Sequence, residues 1–219
     1  MKINSLLRRY VLKKIGWFFV VFLLSVGITN ASPILITNSS DAALTGSTVI
    51  DFNSESLSTF TSQTFNSDVT FSVSSGSLYI ENTYSGEFGS SGNYLANQTN
   101  PNPITINFVQ DVSAFGFSWG AADEPWTMAL YNSSSGLLGT LNIAAQTAPY
   151  IGFIGGTDST DSISYAVLTD QSSYGYDYFL LDNFEYVTAS PSAPIPDPAT
   201  FLLFGLGLLG VAGVSRKKK

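Results

Sequence analysis

The side chains that could do chemistry between residues 15 and 215 are carboxylates, hydroxyls, amides and aromatic rings, because this stretch contains no His, Cys, Lys or Arg. Nucleophilic triads, thiolate or imidazole metal sites, Schiff-base lysines and arginine clamps on phosphate are therefore excluded there. Nucleic acid binding is excluded as well, since it needs basic groups that release counterions from phosphates. The functions that these side chains still allow are calcium binding, carbohydrate binding and hydrolysis catalysed by carboxylic acid side chains alone.

One acidic and aromatic segment is a candidate for carbohydrate binding. Asp123 and Glu124 precede Trp126 in a stretch whose Gly and Pro residues are typical of a loop. An exposed indole ring beside carboxylates is an arrangement suited to sugar recognition. We therefore predict a glycan contact at Trp126, Asp123 and Glu124. The alternative is that Trp126 fills the core, as aromatic side chains on strands usually do.

Catalysis by this segment is not expected. A glycosidase needs two carboxyl groups about 5 to 10 Å apart across a cleft. Asp123 and Glu124 are adjacent, and adjacent residues of an extended chain point to opposite sides. No glycosidase motif is present, so we predict a protein that is not an enzyme.

The elements that must position these residues are strands. Apolar and polar residues alternate in about ten short segments, separated by turn-forming Gly, Ser and Asn clusters. The segments are residues 48–52, 69–73, 78–80, 104–108, 114–119, 128–131, 138–143, 150–154, 163–168 and 178–187. They predict an all-β fold, an antiparallel two-sheet β-sandwich of the jelly-roll kind. Residues 84–103 are predicted to be a long surface loop.

Calcium is a possible cofactor of such a sandwich. Jelly-roll carbohydrate-binding modules often hold Ca²⁺ with an Asp near the first strand and another on the last, and Asp51 and Asp182 occupy comparable places. Ca²⁺ takes about six to eight oxygen ligands, and carboxylates without neighbouring cations favour its uptake. The alternative is that both residues are simply solvated.

The distribution of charge predicts how the chain is oriented across a membrane. All nine Lys and Arg residues lie at the two ends, and all 16 Asp and Glu residues lie between them. Because Lys and Arg favour the cytoplasmic side, this pattern predicts cytoplasmic ends and a translocated body. At the N-terminal end, an apolar run at residues 15–26 and small residues up to Ala31 predict a signal peptide cut between Ala31 and Ser32. The alternative is an uncleaved anchor, although about 12 apolar residues are short for a span.

A second apolar segment lies near the C-terminal end. Residues 199–214 are apolar or small, and they would form a helix of about 24 Å. That is slightly short of a hydrocarbon core of about 30 Å, but flanking cations can extend it by snorkelling. We therefore predict a single transmembrane helix followed by the basic tail Arg216, Lys217, Lys218 and Lys219.

The order of these features resembles a known sorting signal. Pro196, Asp197 and Pro198 directly precede the apolar helix and its basic tail. This arrangement is similar to the PEP-CTERM signal, with Asp where Glu is usual. The resemblance implies recognition by exosortase, a membrane-embedded, cysteine protease-like enzyme of Gram-negative bacteria that make extracellular polysaccharide. It also implies cleavage near residues 196–198.

Two segments of the body resemble the ectodomains of exosortase-dependent surface proteins. Residues 111–123 contain an F-G-F-S-W-G strand, and residues 178–185 contain an Asp-Asn pair near the end of a strand. The resemblance implies an extracellular β-sandwich and carries over no catalytic residues.

The expected organisation has four parts: a signal peptide at 1–31, a β-sandwich ectodomain at 32–187, a Pro-rich linker with the sorting motif at 188–198, and the transmembrane helix and tail at 199–219. The expected function is that of a surface or matrix protein with a structural or adhesive role in an exopolysaccharide layer. The precursor would lie in the inner membrane, and the product at the cell surface or in the extracellular matrix. A non-catalytic, lectin-like protein is one alternative, and an uncut, tail-anchored periplasmic protein is the other.

Overall fold

The structure is a computed structural model that describes residues 32–99, 103–159, 162–172, 175 and 177–190. Contacts divide the chain into two units, Met1–Ser32 and Pro33–Lys219, and every strand of the described residues lies in the second. No helix among the described residues is long and apolar enough to cross a membrane. The predicted signal peptide at residues 1–31 and the predicted transmembrane helix lie outside the described residues.

The described residues form antiparallel β structure with one short 3-10 helix, Ala42–Leu44. The strands are β1 (Ile34–Ile36), β2 (Thr48–Ile50), β3 (Ser58–Phe60), β4 (Ser62–Phe65), β5 (Val69–Val73), β6 (Leu78–Glu81), β7 (Tyr94–Asn97), β8 (Ile104–Gly120), β9 (Trp126–Tyr131), β10 (Leu137–Ile143), β11 (Ile151–Thr157), β12 (Ile163–Asp170) and β13 (Leu180–Thr188). The prediction of an all-β fold is therefore confirmed.

The long strand β8 organises the sheet. Its first part pairs with β5 and β12, and its second part pairs with β11 and β13. Through β8 the strands join into one curled 13-stranded sheet, whose main path runs β10-β9-β12-β8-β13-β7-β6-β3. The finer prediction of two separate sheets stays a prediction.

A bulge in β8 explains why the sequence suggested two strands there. Val109 and Gln110 are both exposed, which interrupts the alternation of buried and exposed side chains. The pairing with β12 also shifts register between Ile163 and Tyr165. An extra residue in a strand bends it and resets its alternation. The two predicted segments are thus one 17-residue strand that continues through the irregularity.

Aromatic rings fill the core. Phe184 on β13 packs against Phe71 on β5 with ring centroids 5.3 Å apart and against Phe117 on β8 at 5.7 Å. Trp119 on β8 stacks on Phe179, which directly precedes β13, at 4.8 Å. The chain has no Cys, so this packing has to stabilise the domain without disulfides.

The prediction of a surface loop over residues 84–103 is wrong in its middle part. All four residues of β7 are buried, including Tyr94 and Leu95, and β7 pairs with both β6 and β13. A strand that is buried on both faces has no alternation, so a search for period two misses it. The strands β1, β3 and β4 were also not predicted, and β3 and β4 lie one residue apart.

Candidate functional site

Trp126 lies in the core, which corrects the prediction of an exposed glycan contact at this residue. The side chain is only 2% exposed, because β9 starts at Trp126 and points it inward. Its ring packs edge-on against Trp119 at 5.3 Å, and its Nε1 donates a hydrogen bond to Oδ2 of Asp177 at 2.8 Å. The ring face is therefore not available to stack on a sugar.

The segment before Trp126 is organised around the same carboxylate. The backbone N–H groups of Asp123 and Glu124 donate to Asp177 at 3.1 and 3.3 Å. The Asp123 side chain is exposed and that of Glu124 is half-buried. A glycan contact through these two carboxylates stays a prediction, but no indole ring can accompany them.

Asp177 is a buried acid, only 2% exposed. Its own N–H donates to Oδ2 of Asp170 at 3.0 Å. Burial raises the pKa of Asp177 to about 6, and a hydrogen bond with the Asp123 side chain adds to the shift. Hydrogen bonds from the Trp126 indole and from the backbone N–H groups of Asp123 and Glu124 oppose it. The fold therefore carries the cost of a desolvated carboxylate here, and three hydrogen-bond donors offset part of that cost.

The structure brings the two predicted calcium ligands near each other. Asp182 on β13 is 1% exposed and accepts hydrogen bonds from the N–H of Ser91 at 2.8 Å and of Asn183 at 2.7 Å. Burial raises the pKa of Asp182, and the negative charge of Asp51 raises it further. Asp51 is exposed and accepts from the Asn53 N–H at 3.1 Å.

These contacts do not by themselves form a calcium cage. Backbone donors already occupy both Asp182 oxygens. No group of three or more His, Cys, Asp or Glu residues suited to a metal ion occurs in the described part of the chain. Calcium binding at Asp51 and Asp182 therefore stays a prediction, and it would require backbone and amide oxygens as further ligands.

A surface pocket of about 280 Å³ lies where β6, β7 and the segment before β13 meet. Sequence analysis did not identify it. We call it the Glu81 pocket; its lining residues are Glu81, Thr83, Tyr84, Gln98 and Tyr178. It combines one carboxylate, one amide and two phenol rings.

Hydrogen bonds fix the carboxylate of the Glu81 pocket. The Tyr178 hydroxyl donates to Oε1 of Glu81 at 2.7 Å, and Nε2 of Gln98 donates to Oε2 at 2.7 Å. Burial raises the pKa of Tyr178 far above its ordinary value, and the hydrogen bond to Glu81 adds to the shift. The Tyr178 hydroxyl thus remains protonated and keeps donating to Glu81 at any physiological pH.

The ring of Tyr84 forms the exposed wall of the pocket. It is 41% exposed and meets the ring of Tyr178 edge-on at 6.1 Å. The Tyr84 N–H donates to the hydroxyl of the fully buried Tyr94 at 2.8 Å, which ties the turn after β6 to β7. The pocket therefore has an aromatic surface on a backbone that is held in place.

The same turn packs closely on the end of β8. A Cβ added at Gly120 would lie 2.0 Å from the Phe88 carbonyl oxygen, so no larger residue could let the turn approach this closely. The Phe88 ring in turn packs against Tyr84 at 5.9 Å. Gly120 thereby contributes to the position of the pocket wall.

Sequence reasoning missed the Glu81 pocket because its residues come from distant parts of the chain. Glu81 and Tyr178 are 97 positions apart, and Glu81 and Gln98 are 17 apart. Gln98 directly follows β7, the strand that the alternation search missed. The available signal was local: Glu81 and Tyr84 flank a short polar turn after a predicted strand.

Comparisons with known proteins give weak likenesses for the β-domain. No curated protein sequence matches the chain. Among solved structures, the K2 cleaved adhesin domain of Lys-gingipain is similar with 10% identity and a TM-score of 0.38, over 66% of this chain and 99% of that one. A family 29 carbohydrate-binding module has 10% identity and a TM-score of 0.35, over 68% and 99%. A family 43 arabinoxylan arabinofuranohydrolase from Bacillus subtilis has 14% identity and a TM-score of 0.32, over 44% and 21%. At these TM-scores no functional conclusion follows.

The match to a protein family lies near the C-terminal end of the chain. The family model of the PEP-CTERM protein-sorting motif matches residues 194–217. The match includes Pro196, Asp197, Pro198, Arg216 and Lys217, which lie outside the described residues together with Lys218 and Lys219. The resemblance seen in the sequence is thus confirmed, and residues 194–217 are a PEP-CTERM protein-sorting motif.

Proposed function

We propose that the chain is an exosortase-sorted surface protein with a structural or adhesive role in an extracellular polysaccharide layer. The observation that carries this proposal is the PEP-CTERM motif at residues 194–217, after the β-domain. Exosortase would cut the precursor near residues 196–198 while residues 199–214 hold it in the inner membrane of a Gram-negative bacterium. The β-domain would then be exposed at the cell surface or in the matrix.

The chemistry of the β-domain is compatible with an extracellular location. It contains no Cys, so no thiol can be oxidised there. It also has no Lys or Arg, so proteases that cleave after basic residues have no site between residues 15 and 215. The aromatic core described above supplies cohesion instead of disulfides.

We further propose that the curled sheet acts as a two-layer sandwich. Phe71 on β5 and Phe184 on β13 come from strands that pair with different parts of β8. Their rings nevertheless meet at 5.3 Å. Ring-to-ring packing between the two parts of a curled sheet is what a sandwich core requires.

Carbohydrate binding is the second candidate function, and the Glu81 pocket favours it. Sugar sites place aromatic faces beside carboxylates and amides that hydrogen-bond hydroxyl groups. Tyr84, Glu81 and Gln98 supply all three groups in one place. The proposed role is non-catalytic, because Glu81 is the single carboxylate among the lining residues, whereas glycosidases use two.

Expressing the chain in cells with and without exosortase tests the sorting proposal. We expect a shortened protein outside the inner membrane only where exosortase is present. The same full-length mass in both strains would overturn the proposal and favour the uncut, tail-anchored alternative.

A further inference from the structure

We infer that the Glu81 pocket binds the ammonium group of an amino sugar within a partly deacetylated polysaccharide. This inference rests on the carbohydrate-binding candidate and names its ligand class. Three features support it: the remaining acceptor capacity of Glu81, the exposed ring of Tyr84 and the sign of the charge on the body of the chain.

Glu81 retains capacity to accept further hydrogen bonds. An ionised carboxylate has about four lone-pair sites. Tyr178 and Gln98 use two of them at 2.7 Å each, and the Thr83 hydroxyl is a weaker third donor at 3.5 Å. All three donors are neutral, so the negative charge of Glu81 is not compensated by them. A cationic donor in the pocket would form a charge-assisted hydrogen bond, which is about twice as strong as a neutral one.

The ring of Tyr84 supplies the second part of an ammonium site. Cations are attracted to the face of an aromatic ring within about 6 Å of its centroid. Tyr84 is 41% exposed and lines the same pocket as Glu81. An ammonium group on Glu81 would therefore share the pocket with the Tyr84 ring, and the adjoining sugar ring could pack on the exposed part of that ring.

The charge of the body selects among polysaccharides. Residues 15–215 contain all 16 Asp and Glu residues and no Lys or Arg. A surface of one sign attracts ligands of the opposite sign and repels those of its own. Uronic acid and sulfated polymers are therefore disfavoured, neutral glucans gain nothing from the field, and a polymer with free amines is attracted.

The size and position of the pocket fit one part of a longer chain. About 280 Å³ lies just below the range of about 300 to 1,000 Å³ that small-molecule sites occupy, which suits one or two sugar rings. Tyr84 and Gln98 are both exposed, so the polymer can continue over the surface on either side.

The test compares four hexamers on the full-length chain in mild detergent by calorimetry at pH 6, where amines are protonated. The hexamers are those of glucosamine, N-acetylglucosamine, glucose and lysine. We expect the glucosamine hexamer to bind, and the N-acetylglucosamine and glucose hexamers to bind at least about tenfold more weakly, since one charge-assisted hydrogen bond is worth about that factor. Hexalysine should bind more weakly than glucosamine, because it has no sugar ring to place on Tyr84.

Matched variants locate the site. Glu81→Gln removes the charge and keeps the shape, Tyr84→Ala removes the exposed ring, and Glu87→Gln removes an exposed acid of the same turn that does not line the pocket. We expect about tenfold weaker glucosamine binding for each of the first two variants and less than a twofold change for the third. Circular dichroism would verify that each variant folds, and Tyr84→Ala carries the test if Glu81→Gln does not.

Each other result overturns the inference in a distinguishable way. Equal binding of the acetylated hexamer, still sensitive to Tyr84→Ala, would leave carbohydrate binding standing and remove the ammonium assignment. Equal effects of Glu81→Gln and Glu87→Gln would show non-specific attraction to the acidic surface. Equal binding of hexalysine would show recognition of amines without sugar. Absence of binding by all four would remove the carbohydrate-binding candidate as well and leave the sorting proposal untouched.

Discussion

Nε1 of Trp126 donates a hydrogen bond to Oδ2 of Asp177 at 2.8 Å, and this contact joins the start of β9 to the segment that leads into β13. The same carboxylate accepts from the backbone N–H groups of Asp123 and Glu124. One buried acid thus holds both an indole ring and the loop that leads to it. Asp177 is therefore a structural residue of the domain.

Replacing Asp177 with Ala should destabilise the domain by about 3 kcal/mol, because three donors lose their acceptor and unmade buried hydrogen bonds cost about 1 to 3 kcal/mol each. Urea unfolding followed by circular dichroism measures the change. Glu87→Ala is the matched control, since the Glu87 side chain is exposed and does not contribute to the environment of Asp177. Equal stability of the two variants would contradict this role.

The pH dependence of stability follows from the raised pKa values of Asp177 and Asp182. The pKa of Asp177 is about 6 in the folded state against an ordinary value of 3.8, so the folded state binds its proton more tightly. The stability that the folded state gains from protonated Asp177 is fully present below about pH 4 and is lost as the pH rises through 6. As the pH is lowered from 7 to 5, Asp177 alone should raise the free energy of unfolding by about 1 kcal/mol. Burial of Asp182, whose pKa is also raised, acts in the same direction.

Thermal melts at pH 5, 6 and 7 and constant ionic strength measure this effect. The melting temperature should rise as the pH falls, and the rise should be smaller in Asp177→Asn, which cannot titrate at this position. A melting temperature that falls from pH 7 to pH 5 would show that the buried acids are stabilised as carboxylates.

The sequence predicts best those features that are contiguous. Strands such as β5 and β9 alternate clearly between apolar and polar residues, and the alternation predicts them. The sorting motif lies in one short segment, which makes it recognisable in the sequence alone. Strand β7 was missed because all its side chains are buried. Trp126 was misplaced because the neighbouring Pro125 suggested a loop, whereas its hydrogen-bond partner Asp177 lies 51 positions away. The Glu81 pocket escaped prediction for the same reason, since only tertiary pairing brings Tyr178 to Glu81.

Calcium should stabilise the domain if Asp51 and Asp182 share an ion. The two charges repel each other in the folded state, which contributes to the raised pKa of Asp182. Asp51→Asn should therefore raise the melting temperature without calcium and reduce the gain on adding 1 mM Ca²⁺, a concentration at which extracellular sites of about millimolar affinity fill. Glu87→Gln, at an exposed residue, is the control. An equal gain from Mg²⁺ or from NaCl of the same ionic strength would assign the effect to screening of the acidic surface.

Removing residues 216–219 should disturb retention of the precursor in the inner membrane. The cations fix the orientation of the apolar segment and extend a helix of about 24 Å towards the cytoplasmic interface. Membrane fractionation after a short pulse of synthesis measures the change. A full-length variant in which Arg replaces Lys217, Lys218 and Lys219 keeps the positive charge, so it should be retained like the native chain. Unchanged retention on deletion would mean that the tail plays no part in sorting.

The most direct test of the proposed sorting is the intact mass of the protein recovered from its producing cells and their medium. Asp- or Glu-directed cleavage would map the ends, since trypsin has no site between residues 15 and 215. We predict a C-terminus within residues 196–198 for the native chain, and an uncut chain for the variant with Pro196 and Pro198 both replaced by Ala. A native mass that still includes Arg216 to Lys219 would contradict cleavage by exosortase.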